Sequence, residues 1–223
     1  MRTWIVVPAF NEAQVIGPVI SELRRRYSDV VAVDDASQDD TANIAERAGA
    51  VVLRHLINRG QGASLKTGID YALQHGAEAV VTFDADGQHS VDDVAKLLAP
   101  IESGTHDVAL GSRFLNDVSN IPPLRRTVLR FAVIFTRIFS NIKVTDTHNG
   151  LRAFSRPAAE GVRIKQDRMA HASEILDEIV ALNLRYTEVP VTIVYNHYSR
   201  SKGQGNLAMF RIAMKYLIHK ISR

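Results

Sequence analysis

The segment TFDADGQH, residues 82–89, sets two carboxylates one residue apart directly after the apolar run Ala79-Val80-Val81. In an extended chain, residues i and i+2 point to one side, so Asp84 and Asp86 would crowd like charges into one small volume. A divalent cation carrying a phosphate removes that conflict, and hard oxygen ligands suit Mg²⁺ or Mn²⁺. A plain turn is the other reading, because Asp and Gly are frequent where strands end. A phosphate also calls for arginine, whose guanidinium fork pairs with it bidentately. Arg113 stands in a second polar cluster, Gly111-Ser112-Arg113.

Elements must bring these side chains together. Apolar runs predict strands over 3–7, 30–33, 50–53, 79–83 and 107–110. Between them, Val15, Val19, Ile20 and Leu23 are spaced for one helical face, and a second helix opens at Asp40 or Thr41. The turn Asn58-Arg59-Gly60-Gln61-Gly62 leads into a helix over 63–74 that His75-Gly76 stops, and a further helix covers 91–101. This alternation implies an α/β fold with a mostly parallel central sheet and right-handed crossovers. Ligands of such sheets bind beyond the carboxyl ends of the strands. There the chain places Pro8 to Glu12, Asp34-Asp35, Asp84 to Gln88 and Gly111-Ser112-Arg113, a convergence that favours a metal and diphosphate site over isolated turns.

The 223 residues, 46% hydrophobic and 23% charged, suffice for one large folded domain. With no cysteine, disulfides and thiolate metal sites are excluded and a reducing cytosol is allowed. The N-terminus runs into a strand pattern without a signal-peptide h-region, and no stretch reaches the roughly 18 uncharged apolar residues of a spanning helix. The net charge of +3 is unevenly spread: Arg125, Arg126, Arg130, Arg137 and Lys143 share residues 122–143 with no acid, as do Arg200, Lys202, Arg211, Lys215, Lys220 and Arg223 in residues 200–223. The remainder is net acidic, so the basic segments point to an anionic partner. Their aliphatic content, without a nucleic-acid motif, speaks against nucleic acid.

Six segments in this order, VVPAFNE (6–12), VDDASQDDT (33–41), NRGQGASLKTG (58–68), FDADGQH (83–89), GSRF (111–114) and DTHNGLRAF (146–154), resemble family 2 glycosyltransferases. The likeness is to the polyprenyl-phosphate sugar synthases of the dolichol-phosphate mannose synthase type and covers residues 3–200. It implies a GT-A, Rossmann-like three-layer α/β/α catalytic domain over 1–200, with a nucleotide-sugar half to about residue 112 and an acceptor half from about 113. It also implies inverting, metal-dependent sugar transfer from a UDP- or GDP-linked donor to dolichyl or undecaprenyl phosphate.

Carried onto this chain, Pro8, Ala9, Asn11 and Glu12 would line the nucleotide pocket, Asp35 would contact the base, and Arg59 and Gly60 would sit beside the nucleotide. Asp84-Ala85-Asp86 matches the family's Asp-X-Asp motif, with Asp84, Asp86 and Gln88 facing the metal. Arg113 and Arg130 match acceptor-phosphate arginines and join Asp86 as the catalytic set. Arg200 and Lys202 match, in compressed form, a basic pattern that closes over the diphosphate. Asp146, Asn149, Gly150 and Arg152 would shape the acceptor side, and Glu174 falls near a catalytic acid of polymerising relatives. A phosphate monoester is largely dianionic at neutral pH and needs no base. A glycan or small-molecule hydroxyl acceptor would need one, and Glu174 is its candidate; a nucleotide-binding module without catalysis is a third reading.

Residues 122–142 interleave arginines with Leu124, Val128, Phe131, Ile134, Phe135, Ile138 and Phe139. The final basic segment, 201–223, is an amphipathic helix by spacing, with Phe210, Ala213, Met214, Leu217 and Ile221 on one face. Such helices rest among anionic headgroups, or else pack on their own protein. The expectation is a cytoplasmic protein peripheral to the inner face of the membrane, with a separate small membrane protein as a partner implied by the resemblance.

Overall fold

A computed structural model describes residues 1–115, 126, 127, 129, 133, 142–168 and 170–194. Arg130, Arg200 and Lys202, the apolar positions named between 122 and 142, and all of 195–223 lie outside the described residues.

The described chain runs β1 (Thr3–Ala9), α1 (Ile16–Arg24), β2 (Asp29–Asp34), α2 (Thr41–Arg47), β3 (Val51–Arg54), α3 (Gln61–Gln74), β4 (Ala79–Thr82), α4 (Asp92–Glu102), β5 (Val108–Ser112), β6 (Arg152–Ser155), α5 (Arg156–Gly161), α6 (His171–Ala181) and β7 (Tyr186–Pro190). Seven strands form one sheet in the order β3-β2-β1-β4-β6-β5-β7. β1 pairs in parallel with β2 and β4, β2 with β3, and β5 with β7. β6 alone runs antiparallel, to both β4 and β5.

Alternation along each strand builds the three layers. On one face Ile5, Val7, Ala32, Val81, Ala109 and Ala153 pack against Ile20, Leu23, Val94 and Leu97 of α1 and α4. On the other face Trp4, Val6, Val33, Val80, Leu110 and Phe154 meet Leu65, Ile69, Ile175 and Leu176 of α3 and α6. α3 sits tightly on the sheet: a Cβ on Gly68 would fall 2.3 Å from Val6 Cγ1. That contact fixes where the start of α3 lies over the strand ends.

All five predicted strands are present. β6 and β7 complete the sheet beyond them, and the parallel majority is interrupted by β6. One premise changes: β4 stops at Thr82 and residues 85 and 86 lie in a turn. Asp84 and Asp86 are therefore neighbours through a turn, not through the two-residue period of an extended strand.

Candidate active site

At the carboxyl edge, the loops after β1, β2 and β3 are tied to one another. Asn11, held at φ 55°, donates its N–H to Ser37 Oγ at 2.9 Å, and its Oδ1 accepts from the Gln38 N–H at 2.8 Å. The Glu12 N–H donates to Thr41 Oγ1 at 2.7 Å. The Asp35 N–H reaches the Ala9 carbonyl at 2.9 Å, while its buried carboxylate accepts the N–H groups of Arg59 at 2.9 Å and Gly60 at 2.6 Å. Pro8 and Ala9 close β1 beside this network. Arg59 is exposed and pairs with Asp167 at 3.4 Å. Gly60 has φ 102°, and a Cβ there would lie 2.6 Å from the Asp167 carbonyl oxygen, so glycine is required on both counts.

The two acids have different surroundings. Asp84 accepts from Gln61 Nε2 at 2.9 Å and from His89 Nε2 at 3.0 Å. Opposite them, Gly150 presses its backbone against the same carboxylate, and a Cβ there would fall 2.3 Å from Asp84 Oδ2. The Thr82 hydroxyl, donating to the Gly150 carbonyl at 2.6 Å, holds that approach. Burial alone would raise the Asp84 carboxyl, but the His89 hydrogen bond and nearby positive charge hold it below its ordinary value. Asp86, which accepts the Gln88 N–H at 3.0 Å, goes the other way: burial and the charge on Asp84 push it up to about 6.

Among the described residues no group of three or more His, Cys, Asp or Glu side chains gathers as a metal cage. The donor set suits a different arrangement. Mg²⁺ and similar ions are commonly held by one or two carboxylates together with substrate phosphates, and the charge crowding on Asp86 is what such an ion would relieve. Gly150→Ala should push Asp84 off its two donors and lower turnover at least about tenfold, with a melting temperature that falls by only a few degrees. Steady-state kinetics beside a thermal scan would check this; unchanged turnover would show that the close approach is incidental.

The described loop before β6 is organised from within. Arg113, predicted to meet a phosphate, is buried and donates through Nε to Asp146 Oδ2 at 2.6 Å and through Nη2 to the His148 carbonyl at 3.1 Å. Its backbone N–H reaches the same Asp146 oxygen at 3.2 Å. Glu188 on β7 accepts the N–H groups of Thr145 at 2.8 Å and Asp146 at 3.2 Å. Arg152, at the start of β6, donates to the carbonyls of Asn149 at 3.0 Å, Thr147 at 3.3 Å and Ala172 at 3.3 Å, and burial lowers its pKa to about 10. Glu174 accepts the N–H groups of Lys165 at 3.0 Å and Gln166 at 2.8 Å, so its carboxylate anchors a loop.

His148 and His171 are kept neutral here, burial lowering each to about 4. A histidine depressed below its unfolded value of roughly 6.5 contributes stability that is complete above that pH and is lost as pH falls towards 4, by up to about 3 kcal/mol each. Urea midpoints should therefore decline between pH 7 and 4, and His171→Asn should flatten the decline. An identical slope in the variant would remove His171 from this account.

The structure thus brings Asp84, Asp86, Gln61, His89 and Gly150 together and sets Asn11, Glu12, Asp35, Arg59 and Gly60 along the neighbouring strand ends. Gln61 and His89 lay inside the motifs read from the chain but carried no assigned role. Their glycine-rich and acidic neighbours were the only local signal.

A three-layer domain whose mixed sheet presents acidic loops at its carboxyl edge is a GT-A-like fold. The chain matches the Glycosyl transferase family 2 over residues 4–163, and it belongs to that family as a glycosyltransferase. It is 30% identical over 242 residues, 99% of this chain and 96% of the other, to a UDP-N-acetylglucosamine–dolichyl-phosphate N-acetylglucosaminyltransferase of Methanococcus voltae. It is 27% identical over 228 residues, 95% of this chain and 86% of the other, to a polyprenol monophosphomannose synthase of Mycolicibacterium smegmatis. In fold it resembles glucosyl-3-phosphoglycerate synthase from Mycobacterium tuberculosis, solved with Mn²⁺, UDP-glucose and glycerol 3-phosphate, at TM-score 0.76 and 19% identity over 98% of this chain and 79% of that one. A separate membrane subunit finds no support in these comparisons. No helix among the described residues is long and apolar enough to cross a membrane.

Proposed function

We propose that this chain transfers a sugar, with inversion, from a nucleoside diphosphate sugar to polyprenyl phosphate at a membrane surface. The observation that carries the donor side is the division between the two acids: Asp84 is held by Gln61 and His89, while Asp86 keeps a pKa raised to about 6. A bound Mg²⁺ or Mn²⁺, with Asp86 as its principal protein ligand and Asp84 and Gln88 beside it, would neutralise the leaving diphosphate as a Lewis acid. Around it, Asp84 keeps its orientation through two side-chain donors, and the ties among the loops after β1, β2 and β3 hold the nucleoside end rigid before it binds. The acceptor side rests on the relatives. Two proteins that differ in the sugar they move are named for lipid-phosphate or polyprenol acceptors.

A phosphate dianion attacks the anomeric carbon without a general base. The position of Glu174, committed to two backbone N–H groups, agrees with that chemistry and not with a base acting on a sugar hydroxyl. Arg113 and Asp146 shape the loop that ends in Gly150 against Asp84, so the acceptor side and the donor carboxylate meet at Gly150. Arg130, Arg200 and Lys202 complete the reading as cations for the two phosphates.

Purified protein incubated with undecaprenyl or dolichyl phosphate and radiolabelled UDP-N-acetylglucosamine, UDP-glucose or GDP-mannose tests this. Label should enter the organic phase with one of the donors and stop on addition of EDTA. Label passing only to water-soluble acceptors, or undiminished transfer in chelator, would overturn the reading.

A further inference from the structure

We infer that His55 is a positioning residue for the donor nucleoside, acting through Asp35 on the Asn58–Gly60 turn. It rests on the reading that the nucleoside lies over the ends of β1 and β2. His55 follows β3 and is tied at both ring nitrogens: Nδ1 lies 2.7 Å from Asp35 Oδ1 and Nε2 lies 3.0 Å from Thr67 Oγ1. The carboxylate is an acceptor only, so Nδ1 carries the proton; in the neutral ring Nε2 then accepts from the Thr67 hydroxyl. Asp35 thus takes three N–H donors, from His55, Arg59 and Gly60, with its side chain only 4% exposed.

A carboxylate so engaged is a clamp. It gathers the turn after β3 onto the end of β2, where the His55 N–H also donates to the Asp34 carbonyl at 2.9 Å and Asn58 Nδ2 donates to the Asp35 carbonyl at 3.2 Å. Thr67 sits one residue before Gly68, the point where α3 seats on Val6, so the far end of the relay is anchored at a close helix–sheet contact. The base would then be met by the exposed Asn58–Arg59 turn that Asp35 holds, with His55 fixing the carboxylate's rotamer. Groups that orient a binding residue in this way commonly change affinity tenfold or more when removed.

The test uses His55→Leu, which keeps bulk without a donor, His55→Asn, whose amide can still donate to Asp35, and Thr67→Val. Dissociation constants for UDP and GDP are measured by calorimetry with Mn²⁺ present, with near-UV circular dichroism as a check of folding and KM and kcat for the donor alongside. The nucleotide bound by the wild type should be held at least about tenfold more weakly by the Leu variant and about threefold more weakly by Thr67→Val, while the Asn variant stays within about threefold; KM should rise with kcat little changed. A folded Leu variant with wild-type affinity, or an Asn variant as weak as Leu, would overturn the inference. Should the Leu variant fail to fold, wild-type affinity in Thr67→Val would do the same. A wild type that binds neither UDP nor GDP would instead sink the proposed function.

Discussion

Asp86→Asn should lower sugar transfer by about a thousandfold or more, roughly 4 kcal/mol of transition-state stabilisation, and yet make the metal-free protein more stable. Both effects come from one carboxyl. Burial and the charge on Asp84 raise it to about 6, above its ordinary 3.8. A carboxyl raised on folding destabilises the fold only when ionised: the penalty is absent below about pH 4, grows through the interval to 6 and is complete above it. At pH 8 in EDTA, the variant's urea midpoint should therefore exceed the wild type's by an amount corresponding to 1–3 kcal/mol, about one to two pKa units. At pH 4 the two should coincide. Mn²⁺ with the nucleotide should then stabilise the wild type alone, because a ligand that binds only the folded state adds to its stability by mass action. A variant that transfers sugar normally, or that is less stable at pH 8, would contradict the placement of the ion at Asp86.

The second large effect is on folding. Asp146→Asn removes the carboxylate that both Nε and the backbone N–H of Arg113 use, at a place where Arg113 is 6% and Asp146 4% exposed. Breaking one side of a buried ion pair costs about 3–5 kcal/mol, because the remaining charge stays desolvated. Arg113→Lys should be nearly as damaging, since an ammonium cannot reproduce a fork that reaches Asp146 and the His148 carbonyl together. Denaturant unfolding of both variants measures the loss. A change below about 1 kcal/mol would show that the loop does not depend on this pair.

Much of the chain through β4 could be read from the sequence. β1, β2 and β4 are apolar on both faces and run out into Pro8-Ala9, Asp34-Asp35 and Asp84-Ala85-Asp86, a pattern that periodicity and turn chemistry detect without any partner being known. The described residues after β5 resist the same approach. β6 is four residues long and begins with a buried arginine, while β7 is a partly buried edge strand with no apolar alternation. The site was legible as a set of residue types and less so as a set of contacts. Arg113 pairs with Asp146, 33 positions away, and Gln61 holds Asp84 from 23 positions away, and no local spacing announces either. Asp35 is assigned to the base only through the family resemblance; its three N–H donors, His55, Arg59 and Gly60, lie 20 to 25 positions downstream, beyond any window of periodicity.

The reversed direction of β6 has a consequence for how this enzyme can vary. Arg152 is paired with Thr82 on one side and with Leu110 on the other. Inserting or deleting a single residue between Gly150 and Arg152 would rotate that guanidinium to the opposite face, away from Ala172 and the underside of Asp84. Length changes should accordingly be tolerated in the turns before β5 and β7, while the two-residue step from Gly150 to Arg152 admits none.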